Sequence, residues 1–122
     1  KFVVVHEPLY STGAHAANDA EVSALEPLFD KYGVDVVFQG HDHDYERTVP
    51  LKDGAADEAG GVVYVTLGGG GSPLYIQRRN EDWSAKFLPV YSFAVADVKD
   101  KSFSMSVYNK DGDVVDTLEI QK

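Results

Sequence analysis

Two apolar runs constrain this chain more than anything else in it. "KFVVV" (1–5) and "VDVVFQ" (34–39) are built from β-branched and aromatic residues with little polar alternation, the pattern of strands buried on both faces. Between them lies a helical pattern. Asn18 and Glu21 have capping-box spacing, Val22, Leu25, Leu28 and Phe29 recur at helical intervals, and Gly33 supplies a stop. Pro27 falls inside this pattern and is expected to kink or split the helix. Strand, helix and strand over this length form a βαβ unit with parallel strands, which places the chain in the α/β class.

The remainder changes character. "HEP" ends the first strand and opens the loop "PLYSTGAHAA"; "KDGAADEAGG" reads as a polar loop; "VVYVTL" is a third strand running into "GGGGSP". A loop or short helix is expected through "RRNEDWSAKF". In "YSFAVADV", "SFSMSVY" and "DVVDTLEI", Phe103, Met105 and Val107 alternate with Ser102, Ser104 and Ser106, the period-two signature of antiparallel strands. "VKDKS" and "NKDGD" supply the hairpin turns. The expected fold is therefore a βαβ unit followed by an antiparallel β-meander in one domain spanning 1–122, with a βαβ segment over 1–49 and a β-rich segment over 61–122. Because "KFVVVH" opens inside a strand pattern, the chain is expected to be the carboxyl-terminal part of something longer.

Composition narrows the function. A net charge of −9 argues against nucleic-acid or anionic-membrane partners, since phosphate surfaces reward Lys and Arg. There is no cysteine, which removes disulfides, thiolate metal sites and a cysteine nucleophile. No apolar run approaches the roughly 18–20 residues of a membrane span. A first strand and helix with uncovered apolar surface would favour self-association.

All four histidines, His6, His15, His41 and His43, lie in the first third. His6 ends the first strand and His41 and His43 follow the second. In a parallel sheet those carboxyl ends share one edge, where ligands bind. His15 sits on the loop leaving the same edge. Alternate residues of an extended segment project to one side, so His41 and His43 can face a common site while Asp42 points elsewhere. Imidazoles with carboxylates and no thiolate suit Zn, Fe or Mn. "GGGGSP" offers backbone N–H groups that could hold an anion, and Tyr45, Glu46 and Arg47 could orient a ligand or form a loop's own salt bridge. Trp83 is expected in the core or at a pocket rim.

"FVVVHEPLYSTGAH", a helix, and "YGVDVVFQGHDHDYERT" together resemble the carboxyl-terminal half of calcineurin-like metallophosphoesterases, most closely the purple acid phosphatase branch. The resemblance rests on Val-x-x-His (Val3 to His6), Gly-His-x-His (Gly40 to His43) and the trailing "YERT", and extends through "VVYVTLGGGGSPLY" and the closing hairpins. It implies the carboxyl-terminal portion of a four-layer α/β/β/α sandwich with a dinuclear centre, Fe with Zn, Mn or Fe, at the strand ends. His6 and His41 would then serve one metal and His43 the other. His15 would be catalytic, facing the substrate or its leaving group; the next position, histidine in some plant members, is Ala16 here. The family's Asp-x-Gly/His, Gly-Asp-x-x-Tyr and Gly-Asn-His-Asp/Glu motifs are absent, and they supply the remaining ligands.

The function so implied is metal-dependent hydrolysis of phosphate monoesters or diesters, with a phosphate-ester substrate and the amino-terminal half of the same enzyme as partners. This chain holds at most part of the site and is expected to be inactive alone. An extracellular or periplasmic location follows from the resemblance only. Two other readings remain open: a stand-alone domain holding one metal, and a non-enzymatic interaction module.

Overall fold

A computed structural model describes residues 1–15 and 19–122. The expected capping residue Asn18, and Ala16, lie outside the described residues. Strand β1 (Phe2–Val4), helix α1 (Asp19–Tyr32) and strand β2 (Val36–Gln39) form the βαβ unit, with β1 and β2 parallel and Val3 opposite Val37. The helix runs through Pro27 as one element and ends at Gly33, whose φ of +62° is the left-handed conformation of a helix stop.

Short strands β3 (Tyr45–Thr48), β4 (Leu51–Lys52) and β5 (Ala55–Ala56) follow, then β6 (Val63–Leu67) and β7 (Ser84–Leu88). A five-stranded sheet has the order β1-β2-β6-β3-β7, in which β1, β2 and β6 are parallel and β3 and β7 run antiparallel to their neighbours. The last strands, β8 (Ser92–Lys99), β9 (Ser102–Asn109) and β10 (Val114–Gln121), make the expected antiparallel meander in the order β10-β9-β8. The fold is thus of the expected α/β class, layered as helix, mixed sheet and meander.

Two apolar clusters hold these layers together. Phe29 of the helix packs with Leu9, Val37 and Tyr64 on one face of the mixed sheet. On the other face Val36, Tyr45 and Val65 meet Phe103, Met105 and Val107, the alternate residues of β9. Each fully buried side chain of this size stabilises the fold by roughly 1.5–3 kcal/mol. Trp83 packs against the first cluster, its ring edge-on to Tyr10 at 5.4 Å.

Three expectations are corrected. β1 is an edge strand and not buried on both faces: Phe2 is 41% and Val4 79% exposed, because no strand of this sheet lies beyond it. "YERT" is strand β3, inside the sheet between β6 and β7, and not a loop. "SAKFL" within the presumed loop or short helix is strand β7. The polar stretch after "YERT" contains the small hairpin β4–β5, turned at Asp53 and Gly54 with φ of 51° and 73°, the positive pair that favours a two-residue hairpin turn.

Candidate metal and phosphoester site

The carboxyl ends of β1, β2 and β6 share one edge, and the histidines collect there. The parallel ladder continues beyond the strands: the Val5 N–H donates to the Phe38 carbonyl at 2.9 Å and the Gly40 N–H to the His6 carbonyl at 3.1 Å. This ties the backbone of His6 to the residue preceding His41. His41 itself has φ +62°, an uncommon conformation for a residue with a side chain and one found where function fixes the geometry. His6 Nε2 and His41 Nδ1 lie 3.2 Å apart. Two nitrogens each about 2.0–2.1 Å from a common ion would be separated by about 3.0–3.4 Å, so these residues fit a shared metal.

His43 lines the same cleft, of about 610 Å³, with His6, His41, Gly70 and Ser72. Its ring stacks on Tyr75 at 4.4 Å and 16°, and its Nδ1 lies 3.0 Å from the Pro73 carbonyl oxygen. A carbonyl only accepts, so Nδ1 carries the proton and Nε2 keeps its lone pair. His43 is therefore tautomerically set to be a ligand, though it is not clustered with His6 and His41. The group that does converge with them is Glu7, whose Oε2 is 3.8 Å from His41 Nε2.

His15 lies over His41, ring centroids 4.1 Å apart, and its Nδ1 meets Asp42 Oδ1. Asp42 is fully buried and also accepts from the His15 backbone N–H at 3.1 Å and from the Ser11 hydroxyl. Arg79 clamps the same loop, its Nη2 donating to the carbonyls of Ser11, Gly13 and His15 at 2.9, 3.3 and 3.0 Å. Adjacency to His6 could have flagged Glu7 from the sequence, and adjacency to His41 could have flagged Asp42. Tyr75 and Arg79 gave no signal there.

Beneath the histidines, alternate residues of the same segment form an acidic face. Glu46 is buried and accepts from the Thr12 N–H at 2.8 Å and hydroxyl at 2.6 Å and from the Ser84 hydroxyl. Asp44 is fully buried, and among the described residues neither of its oxygens has a hydrogen-bond partner. Burial first, then the neighbouring Asp42 and Glu46 charges, push its carboxyl up to about 7. Tyr45 and Arg47 point the other way, into the meander. The Tyr45 hydroxyl donates to Asp116 Oδ2 at 2.6 Å and Arg47 Nε to the same oxygen at 2.7 Å.

This chain gathers its histidines at the ends of the parallel strands of a mixed sheet. Its homologues are purple acid phosphatases, members of the calcineurin-like metallophosphoesterases, matched over part of their length. The chain is 40% identical over 87 residues to purple acid phosphatase 18 of Arabidopsis thaliana, covering 70% of this chain and 20% of the relative. It is 37% identical over 82 residues to the Fe(3+)-Zn(2+) purple acid phosphatase 12 of the same plant, covering 57% of this chain and 18% of the relative. A solved purple acid phosphatase from yellow lupin (Lupinus luteus) seeds superposes with a TM-score of 0.84 at 25% identity, over 98% of this chain and 24% of the lupin chain. The chain thus spans about a fifth of the length of the relatives it matches. No protein-family model matches it.

Proposed function

We propose that this chain carries the His6, His41 and His43 ligands of a dinuclear metal centre, and that it hydrolyses phosphate esters only together with the rest of a phosphatase catalytic domain. The observation that carries this reading is the fit of His6 Nε2 and His41 Nδ1, 3.2 Å apart, to a common ion beside the free Nε2 of His43. The incomplete donor set supports the second half: two ions need more ligands than three imidazoles offer. So do the exposed Phe2 and Val4 on the edge strand, and Phe93 and Val95 on the outer face of the meander, which further layers of a four-layer sandwich would cover. Bound Fe, Zn or Mn would polarise the phosphoryl group and neutralise its charge.

The chain's own residues supply the remainder. Asp42, accepting from His15 Nδ1, leaves His15 Nε2 facing outward to hold or pass a proton at the ester's leaving oxygen. Arg79 keeps the His15 loop in place through three carbonyls. The backbone of the Gly-rich loop forms the opposite wall of the cleft, open to a phosphate ester.

Purified chain should bind Zn²⁺ or Mn²⁺ in a calorimetric titration, with binding lost in His41→Ala, and should show no phosphomonoesterase turnover above that of the free metal. Absence of metal binding would overturn the ligand assignment. Turnover by the isolated chain that disappears in His41→Ala would overturn the requirement for the rest of the domain.

A further inference from the structure

We propose that Glu7 is a third protein ligand to the ion held by His6 and His41, giving this chain a His₂-Glu donor set of its own. The inference rests on the metal reading above and adds to it a residue outside the histidine motifs. The ligand atoms of His6, Glu7 and His41 all lie within 4.8 Å of one another, and they are the one such group of His, Asp and Glu among the described residues. Two imidazoles and a carboxylate, with a fourth position left for water, is a donor set that holds Zn²⁺ in tetrahedral geometry.

Glu7 has freedom to complete this set. Its side chain is 51% exposed, and among the described residues it makes no closer ion pair than the 3.8 Å approach to His41 Nε2, the other ring nitrogen from the Nδ1 that faces His6. The partners on either side are held differently. His6 is fixed by the ladder that joins its carbonyl to Gly40, and His41 by its left-handed backbone. Two imidazoles on fixed backbone and one exposed carboxylate on an adjacent residue make up the donor set, with the carboxylate turning toward the Nδ1 side of His41 to reach the ion. His43, turned onto Tyr75 and Pro73, stands apart from this triad. The buried Asp42 and Asp44 are engaged with the His15 loop or enclosed beneath it and do not converge with these three atoms.

The test is a Co²⁺ and Zn²⁺ titration of the 122-residue chain at neutral pH, comparing wild type with Glu7→Ala, Glu7→Gln and His43→Ala. Glu7 is exposed, so its variants should fold as wild type, checked by the far-ultraviolet spectrum. Removing a direct ligand should cost more than the roughly 10–100-fold lost with outer partners, so Glu7→Ala is expected to weaken Zn²⁺ about 100-fold or more. It should also change the visible spectrum of bound Co²⁺. The loss should persist at 0.5 M salt, where a merely nearby charge would be screened over about 4 Å.

Three results count against the proposal. If Glu7→Ala and Glu7→Gln bind within threefold of wild type, the Glu7 assignment fails and the histidine reading stands. If the Glu7 effect vanishes in high salt with an unaltered Co²⁺ spectrum, Glu7 acts as a distant charge and the assignment again fails. If wild type binds no ion, both readings fail together.

Discussion

The two faces of the segment from Asp42 to Thr48 handle buried charge in opposite ways. Toward the meander, Arg47 meets Asp116 and Tyr45, an ion pair with its hydrogen bonds filled. Burial raises the Asp116 carboxyl, but the bonds from Arg47 and Tyr45 outweigh it and hold the group below the usual range. Toward the His15 loop, the carboxyl groups of Asp42, Asp44 and Glu46 follow one another, all of them buried. Asp42 and Glu46 are satisfied by donors from residues 11–15 and Ser84, and Asp44 is left without a partner among the described residues. One face therefore joins two sheets; the other keeps unresolved charge directly under the histidines. Stability resides on the first face, and the second gives some of it up beneath the histidines.

Breaking the filled face should have the largest effect. Arg47→Ala leaves Asp116, 9% exposed, without its guanidinium and with only Lys86 at 3.6 Å, and removing one partner of a buried pair costs up to about 3–5 kcal/mol. Replacing both Arg47 and Asp116 by leucine should recover most of this, because the desolvation penalty disappears with the charges. Urea unfolding of the single and double variants measures both. A loss under 1 kcal/mol in Arg47→Ala would mean that the Arg47–Asp116 pair does little to hold the meander.

Relieving the other face should act in the opposite direction. The Asp44 carboxyl keeps its proton up to about pH 7 in the native chain and loses it near pH 4 when unfolded. Between those values the native state binds more protons, so its contribution to stability falls as pH rises from about 4 to about 7. At 1.36 kcal/mol per pH unit the full span amounts to roughly 3–4 kcal/mol. Asp44→Asn should therefore match wild type near pH 4 and exceed it by roughly 2–4 kcal/mol at pH 8, in metal-free buffer. Since Asp116 and every other group are shared, the difference between the two unfolding curves isolates Asp44. A gap independent of pH would show that Asp44 is not protonated in the native chain.

The contrast also explains what could be read from the sequence. That His6, His41 and His43 share one edge of the sheet was legible because apolar strands and a helix fix a parallel sheet, and a parallel sheet fixes which edge its loops share. The meander was legible because Phe103, Met105 and Val107 alternate with serines. Strand β3 was not, since both faces of "YERT" carry charge: Glu46 is satisfied by Thr12 and Ser84, and Arg47 by Asp116, distant partners that leave no local pattern. Strand β7 was hidden in the same way by Lys86. For β1 the pattern told that it was apolar, and could not tell that no neighbouring strand of this sheet covers its edge. The separation of His43 from His6 and His41 depends on Tyr75 and Pro73, some thirty positions downstream.

The acidic face is also pressed against the Gly-rich loop, where two glycines of one run should behave differently. A side chain at Gly68 would place its Cβ 1.8 Å from the Asp42 carbonyl oxygen, a backbone atom that cannot yield cheaply, whereas nothing lies within 4 Å of one at Gly70. Gly68→Ala is expected to cost about 1–3 kcal/mol, and Gly70→Ala to stay within about 0.5 kcal/mol. Equal effects at the two positions would mean that the loop moves as a body and that its contact with Asp42 is not fixed.

The second cation at Asp116 should contribute less than the first. Lys86 Nζ is 3.6 Å from Asp116 Oδ1, with 35% of its side chain exposed, against 20% for Arg47. Arg47 offers a planar guanidinium that places Nε and Nη2 on the two carboxylate oxygens, at 2.7 and 3.3 Å, while Lys86 is a flexible point charge that also donates to the Val115 carbonyl. Lys86→Met keeps the apolar stem and removes only the ammonium, so it should cost no more than about 1 kcal/mol, the range of solvent-accessible pairs. In an Arg47→Ala background the same substitution should cost more, since Lys86 is then the cation left beside Asp116. A double-mutant cycle reads this directly. Strict additivity would show that Lys86 and Arg47 do not share the Asp116 charge.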